Sequence, residues 1–476
     1  MATQDPDAPI SLEPPTRARY MVLALLCAMA FILYLDRICM GQAAPDIRRE
    51  LGLSLTQMTF VHMAFTLAYG LFEVPTGRWG DRFGSRRVLA RIVLWWSGFT
   101  ALTGLVPYFS FDSGYVVPAP WGYIPLVFDS LILLILIRFL FGAGEAGAYP
   151  NAARVLTCWF PERERGNVQG IMLTFAQVGG AIAPMVAAWL IDLSTWRWTF
   201  IVFGCVGAIW VPFFYFWFRD LPAQHPGVNQ AELQWIGPPR QMPHHDPLPW
   251  RTILAHPSVW LLGGIMTLAS FVFYMLFSWY PTYLQEARNV SQQESGNLMS
   301  MVLAVGAVGT LAGGFVANWV NNRSGDRLRI RRAICFGCYA VAAAFLAASI
   351  VVDSPLLSAM CAAASCMAMF SYQGHWWASA IELSGKHLGA LFGLLNGVGV
   401  LGAMTSQFLF GYLADLRAEW GYTGREQWDP LFYIYVAALL MTAVFWLGVD
   451  TSRPVAGEVE HKNDEIRSTN DEGMNE

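Results

Sequence analysis

The sequence predicts an all-α membrane protein with twelve transmembrane helices in two pseudo-symmetric six-helix bundles. Three observations carry this. Of 476 residues, 55% are hydrophobic and 13% charged, against about 25% charged in an average soluble chain. Apolar runs of about 20 residues, each long enough to cross a bilayer, recur from Met21 to Val449. Arginine and lysine crowd the loops of one side. With the N-terminus in the cytoplasm, the opposite loops hold only Arg48, Arg49, Arg197, Arg288, Arg417 and Arg425 of the 30 Lys and Arg residues. Positive loops stay inside, so both termini and the central loop are expected to be cytoplasmic in a multi-pass cell-membrane protein.

In chain order, residues 1–19 are a polar, Pro-rich cytoplasmic leader. No small-residue cleavage site follows it, so the first apolar run is expected to persist as a helix. The six segments of the first bundle (20–218) are expected near 20–42, 57–77, 88–106, 126–149, 166–190 and 198–218. Between the third and fourth, Pro107–Pro125 is rich in proline and aromatics and lacks Lys and Arg. It is expected to be an ordered aromatic lid or an interface anchor. Residues 219–257, the longest interior polar stretch, form the cytoplasmic linker. The second bundle (258–449) holds segments near 258–282, 295–319, 332–352, 355–380, 388–414 and 430–449, and a charged tail (450–476) is expected to be disordered.

Several patterns exclude chemistry. Eight cysteines lie scattered through apolar segments, as small buried residues do. Cys335-x-x-Cys338 has a redox spacing but sits in a membrane segment without a βαβ context. His244-His245, in a Pro-rich loop without nearby cysteine, is expected to be solvated. No P-loop, Ser/His/Asp order or zinc spacing appears. The expectation is no enzyme, no cofactor, no metal and no nucleic-acid partner.

Arg37 and Arg138 lie at membrane depth, where a charge costs about 2.5–3.5 kcal/mol on insertion scales. Asp36 and Arg37 are adjacent, about 100° apart on a helix, so they cannot satisfy each other. Either the two pair with neighbours near the extracellular interface, or Arg37 attracts an anion while Asp36 takes up a proton. Arg138 and Glu145 share a helix face about 10 Å apart, among Gly142, Gly144 and Gly147. Burial and a nearby guanidinium act on the Glu145 carboxyl in opposite senses, a balance that proton coupling requires; a structural ion pair is the alternative. In the tenth segment, His375 precedes Trp376 and Trp377, aromatics that could stack on a sugar ring or line the bundle or lipid boundary. Gly389, Gly393 and Gly397, like Gly309 and Gly313, make bare stripes suited to close helix packing.

The stretch Gly77-Arg-Trp-Gly-Asp81-Arg82-Phe-Gly84-Ser-Arg86-Arg87 resembles the G-x-x-x-D-R-x-G-x-R-R loop signature of the major facilitator superfamily. A carboxylate at Asp81 can cap a helix of the other half and pair with a local arginine. Gly77, Asp81, Arg82, Gly84 and Arg86 are therefore expected to gate the cytoplasmic side. Gly314 and Asn318 echo that start in the second half, a sign of duplication.

Within the superfamily, the stretch from Arg138 to Gly166 resembles the anion:cation symporters. So do Tyr34-x-Asp36-Arg37, Trp196-Arg-Trp-Thr-Phe and His225-Pro-x-Val-Asn-x-x-Glu232-Leu. The resemblance spans about 20–449. It implies the major facilitator fold and the proton-coupled import of a sugar acid such as a hexonate, hexuronate or glucarate; a monomer in the lipid bilayer is the separate expectation for its assembly. It implies proton sites at Asp36 and Glu145 and carboxylate binding by Arg37 and Arg138. Substrate contacts fall near Tyr34, Tyr69 and Gln177, with Ser379 and Asn396 in the second half. The chain departs from the pattern at Glu73, where relatives carry a neutral polar residue, at Asn318, where a carboxylate would match, and in the long 107–125 insert. Another small carboxylate as cargo, or a non-transporting sensor of the same fold, are the alternative readings.

Overall fold

The structure is a computed structural model that describes residues 13–119, 122–237, 250–322, 326–384 and 388–452. His244-His245, the tail beyond 452 and the side chain of Asp81 lie outside the described residues. The chain opens with α1 (Ala18–Leu51), α2 (Leu55–Phe83) and α3 (Ser85–Gly104), then a hairpin of β1 (Ser110–Ala119) and β2 (Gly122–Asp129). Next come α4 (Ser130–Glu145), α5 (Ala148–Trp159), α6 (Glu162–Leu193) and α7 (Trp196–Trp217). The short α8 (Gln230–Ile236) and α9 (Trp250–Ala255) follow in the linker region. The rest is α10 (Pro257–Glu286), α11 (Gln292–Asn321), α12 (Arg327–Val351), α13 (Pro355–Phe370), α14 (Gln373–Ser384), α15 (Leu388–Glu419) and α16 (Gly424–Gly448).

Among the described residues, ten spans are long and apolar enough to cross a membrane, with α4–α5 and α13–α14 each counting as one. The 29-residue α2 and 20-residue α3 are also long enough, but Glu73, Asp81 and five arginines lower their hydropathy. Together these make the twelve that the hydropathy pattern predicts. Most helices outrun their apolar cores by several residues, because a helix that continues into polar sequence keeps satisfying its own backbone. Their ends follow local chemistry: Ser54 and Gln57 form a capping box on α2, and Asp129 accepts from Ile132 N at α4.

The hairpin is the departure from an all-helical chain. The β-branched and aromatic residues between Ser110 and Asp129 pair antiparallel, with a register shift between Asp112 and Val116. The fourth segment accordingly starts at Ser130 and breaks after Glu145, where Gly147 adopts φ 93°.

Two compact units emerge. One comprises 1–243 with 277–300, the other 244–276 with 301–476. In the first, α1 lies centrally against α6 and α7. The last turns of α10 and the start of α11 belong here. A methyl on Gly41 would lie 2.5 Å from Phe277 O, Gln42 and Gln292 exchange side-chain-to-backbone bonds of 3.2 Å, and Arg48 pairs with Glu286 at 2.6 Å. In the second unit, α12 packs against α13 and α16. Gly309 and Gly313 meet the α13 backbone and Ser371 closely, whereas nothing lies within 4 Å of a methyl on Gly393 or Gly397. The close packing expected of both glycine stripes is thus present in α11, while α15 packs closely at Gly402 rather than at Gly393 or Gly397.

The signature loop fits its glycines individually. Gly77 and Gly80 sit against Pro150 and Asn151 of α5. Gly84 has φ 81°, and a methyl there would lie 2.6 Å from Asp220 Oδ2. The same Asp220 carboxylate accepts from Arg86 N at 2.8 Å and so caps α3, while Arg86 Nε donates to Tyr215 O at 2.8 Å. Gly84→Ala combines backbone strain with this close approach. It is expected to cost about 1–3 kcal/mol and to lower the melting midpoint in detergent, while Arg87→Ala leaves it nearly unchanged.

The linker motif also acquires a structural role. Glu232, buried in α8, accepts from Ala18 N at 3.0 Å and from Arg19 N and Arg19 Nη1 at 3.1 Å, as well as from the Thr16 hydroxyl. A side chain from α8 thus caps the first turn of α1, which has no cap of its own. Burial raises the Glu232 carboxyl, but the Thr16 hydroxyl and the Arg19 and Ala18 N–H groups outweigh it and leave it below the usual glutamate range. A depressed carboxyl stabilises the fold above its unfolded value, and that contribution is lost as pH falls through the folded value. Glu232→Gln is expected to cost about 1–3 kcal/mol at neutral pH. It should also remove the part of the acid-induced loss of stability that falls below about pH 4.3, as read from melting midpoints against pH.

Candidate functional site

The site is built inside the first unit. Arg37, on α1, turns its guanidinium toward α4 and α2. Its Nε donates to Glu145 Oε1 at 2.8 Å, and Nη2 contacts the same oxygen. Three rings cage it, with Tyr69 at 4.7 Å, Phe65 at 5.1 Å and Tyr34 at 5.3 Å from the guanidinium carbon. The planar cation suits both its carboxylate and its ring contacts.

The alternative of an ion pair along α4 does not form. Seven residues of helix separate Arg138 from Glu145 by about 10 Å, too far for contact, and the arm from α1 takes the carboxylate instead. Arg138 lies over Phe141 at 4.4 Å and Phe65 at 5.3 Å, and its Nε and Nη1 are buried without a hydrogen-bond partner. Glu145 Oε2 and both Asp36 oxygens are likewise buried and unpartnered. The Trp96 indole N–H lies beside Asp36, short of hydrogen-bond geometry. Asp36, Arg138 and Glu145 are 0%, 2% and 1% exposed, so two guanidiniums and two carboxyls share one buried cluster with hydrogen-bonding atoms left to satisfy.

Tyrosines complete it. The Tyr149 hydroxyl is buried and unpartnered, among Tyr34, Arg37, Tyr69 and Glu145. Glu73 falls one turn beyond Tyr69 on the face that also carries Phe65 and is an electrostatic neighbour of Tyr69. Gln177 is half-buried on α6. It shares a face with Gly180, where a methyl would touch Tyr34 at 3.1 Å. Thus Tyr34, Asp36, Arg37, Tyr69, Arg138 and Glu145 come together, with Gln177 on a helix packed against them. Ser379 and Asn396 belong to the second unit. There Ser379 Oγ accepts from Arg331 Nη1 at 3.0 Å, and Asn396 is half-buried on α15.

The sequence reading missed Tyr149, Trp96 and Arg331. Tyr149 stands four residues after Glu145, a helical spacing hidden by the break at Gly147. Trp96 gave no signal among so many membrane aromatics. Arg331, counted with the loop arginines, is a correction: it is 2% exposed and makes a bidentate pair with Glu382 at 2.6 and 2.7 Å. Its spacing to Cys335 and Tyr339, one helix face, was the available sign. Among the described residues, no three His, Cys, Asp or Glu side chains come together as a metal site.

Residues 26–407 match the Major Facilitator Superfamily. The chain is 31% identical over 453 residues to the probable sulfoacetate transporter SauU of Cupriavidus necator, covering 94% of this chain and 98% of that one. It is 27% identical over 470 residues to the probable galactarate/D-glucarate transporter of Escherichia coli K12, covering 94% and 98%. A solved structure of a bacterial homologue of the human lysosomal transporter Spinster, inward-facing and occupied, superposes with a TM-score of 0.69 at 19% identity, over 90% of this chain and 96% of that one. The D-xylose–proton symporter structure does so at 0.64 and 13%, over 92% and 98%.

Proposed function

We propose that this chain, which belongs to the Major Facilitator Superfamily and is a multi-pass membrane transporter rather than an enzyme, imports a small organic anion together with protons. The observation that carries this reading is Arg138: a buried guanidinium with two unpartnered donors, beside carboxyls whose own partners are incomplete. An unpaired buried cation is costly, and an anionic guest supplies the missing partner in the bidentate geometry arginine favours. Asp36 and Glu145 are the proton carriers. Arg37 is shared between Glu145 and the cargo. Tyr34, Tyr69 and Gln177 meet the cargo's polar groups, and in the second unit Ser379 and Asn396 remain proposed contacts for its hydroxyls. The relatives named for sulfoacetate and for galactarate or glucarate support a two- to six-carbon acid, a sugar acid fitting the several hydroxyl partners.

Charge arithmetic favours coupling. Moving one negative charge into a negative cytoplasm costs about 2.3 kcal/mol per 100 mV. One proton cancels that for a monoanion, and a second makes voltage a driving force. The arginine-rich side is the cytoplasmic one, with both termini there, and the signature loop from Gly77 to Arg87 gates it.

The test is uptake into proteoliposomes of a panel of radiolabelled sulfonates, hexonates, hexuronates and aldarates, with and without an inwardly directed pH gradient. At least one acid is expected to accumulate only with the gradient. No gradient-dependent uptake across the panel would contradict the reading.

A further inference from the structure

In the second unit, two helix faces meet as a polar ladder. On α12, Arg331, Cys335 and Tyr339 are spaced four apart, one face of a helix. Facing them are Tyr372 and, on α14, His375, Ser379 and Glu382, at intervals of three and four. The rungs are explicit. Arg331 donates to Glu382, to Ser379 at 3.0 Å and to Asn321 of α11 at 2.9 Å. The Tyr339 and Tyr372 rings lie 5.3 Å apart, tilted by 50° to each other. His375 falls between these two ends and within electrostatic reach of Arg331.

The ladder is buried but not satisfied. His375, Tyr339 and Arg331 are 1%, 0% and 2% exposed. Nonetheless His375 Nδ1, His375 Nε2 and Arg331 Nε have no partner in hydrogen-bond geometry, and Tyr339 Oη has only the Tyr372 hydroxyl beside it, short of that geometry. Buried polar groups nearly always find protein or ordered water, so these atoms along one seam call for partners. An imidazole always has a ring nitrogen that donates, and both nitrogens need a partner. The seam also reaches an edge: the Glu382 side chain is 40% exposed and accepts from Thr451 at 2.8 Å.

We propose that the α12–α14 seam is a binding site for a short file of water molecules, centred on His375, that joins the Arg331–Glu382 pair to Tyr339. Water on Nδ1 and Nε2 completes the imidazole, one neighbour reaching toward Arg331 Nε and the other toward Tyr339 Oη. A guanidinium leaving Glu382 in a dry seam is stranded, and the cost of stranding a buried charge is high. Water already seated there takes over its donors. His375 is then a positioning residue: it holds the water that lets the arginine pair exchange partners during turnover.

Pulsed hydroxyl-radical footprinting of the wild-type protein tests this, because radicals formed on bound water oxidise side chains that bulk solvent does not reach. Tyr339 and His375 are expected to be oxidised at least several-fold faster than Tyr435 and Phe432, each 1% exposed in the same unit. Equal rates overturn the proposal. In His375→Phe, Tyr339 oxidation is expected to fall to the Tyr435 rate and turnover to fall several-fold at unchanged KM, with His375→Asn recovering part of both. Tyr339 oxidation that is undiminished in His375→Phe also overturns it. The labelling arm is independent of which anion is carried.

Discussion

Glu145→Gln is expected to remove one proton's share of the proton-driven accumulation while sparing exchange of the bound anion. The amide keeps an oxygen for Arg37 but can neither gain nor lose a proton, so the site is frozen as if protonated. Each coupled proton contributes about 1.36 kcal/mol per unit of pH gradient, a factor of about ten in the accumulation ratio. With the outside one unit more acidic, the variant should lose about tenfold in steady-state accumulation. Counterflow of labelled against unlabelled anion should stay near the wild-type rate. Accumulation equal to wild type would remove Glu145 from the coupling machinery, and loss of counterflow as well would make it a binding residue.

The second large effect is Arg138→Lys. The charge remains, but the fork that grips a carboxylate in two parallel bonds is lost, and so is the flat face over Phe141 and Phe65. Charge-assisted bonds contribute about 1.5–3 kcal/mol each. KM is therefore expected to rise about 10- to 100-fold, with counterflow recovering at saturating anion. The same change at Arg37 should disturb coupling as well as affinity, because Arg37 also holds Glu145. Unchanged affinity in Arg138→Lys would leave the buried guanidinium a structural element.

Much of the fold was legible because the membrane simplifies the problem. Backbone must satisfy itself across the bilayer, so each apolar run of sufficient length had one solution. Expensive charges stood out for the same reason: Asp36, Arg37, Arg138 and Glu145 were visible as candidates before any coordinates. Their partners were not, since pairing across helices depends on crossing geometry rather than spacing. Arg37 reaching Glu145 while Arg138 stays on aromatic faces is such a case. The 107–125 insert was read as an ordered lid or an interface anchor, and the pairing of β1 with β2 depends on a bulge near Asp112–Val116 that alternation alone does not reveal. Arg331 was hidden by the arginine bias, an arginine in an arginine-rich region read as a loop residue. The roles of Gly84 and Glu232 emerged only from their neighbours, Asp220 and the first turn of α1.

The central claim is that anion and proton cross together through the first unit's buried carboxyls. The direct measurement is proton flux itself. Purified protein in proteoliposomes with an entrapped pH dye, clamped at zero voltage and with no initial pH gradient, is given an inward gradient of the transported acid. The account predicts acidification of the lumen at a fixed proton-to-anion ratio in wild type and at a ratio lower by one in Glu145→Gln. Anion entry with no change in lumenal pH, or the same ratio in both proteins, would contradict it.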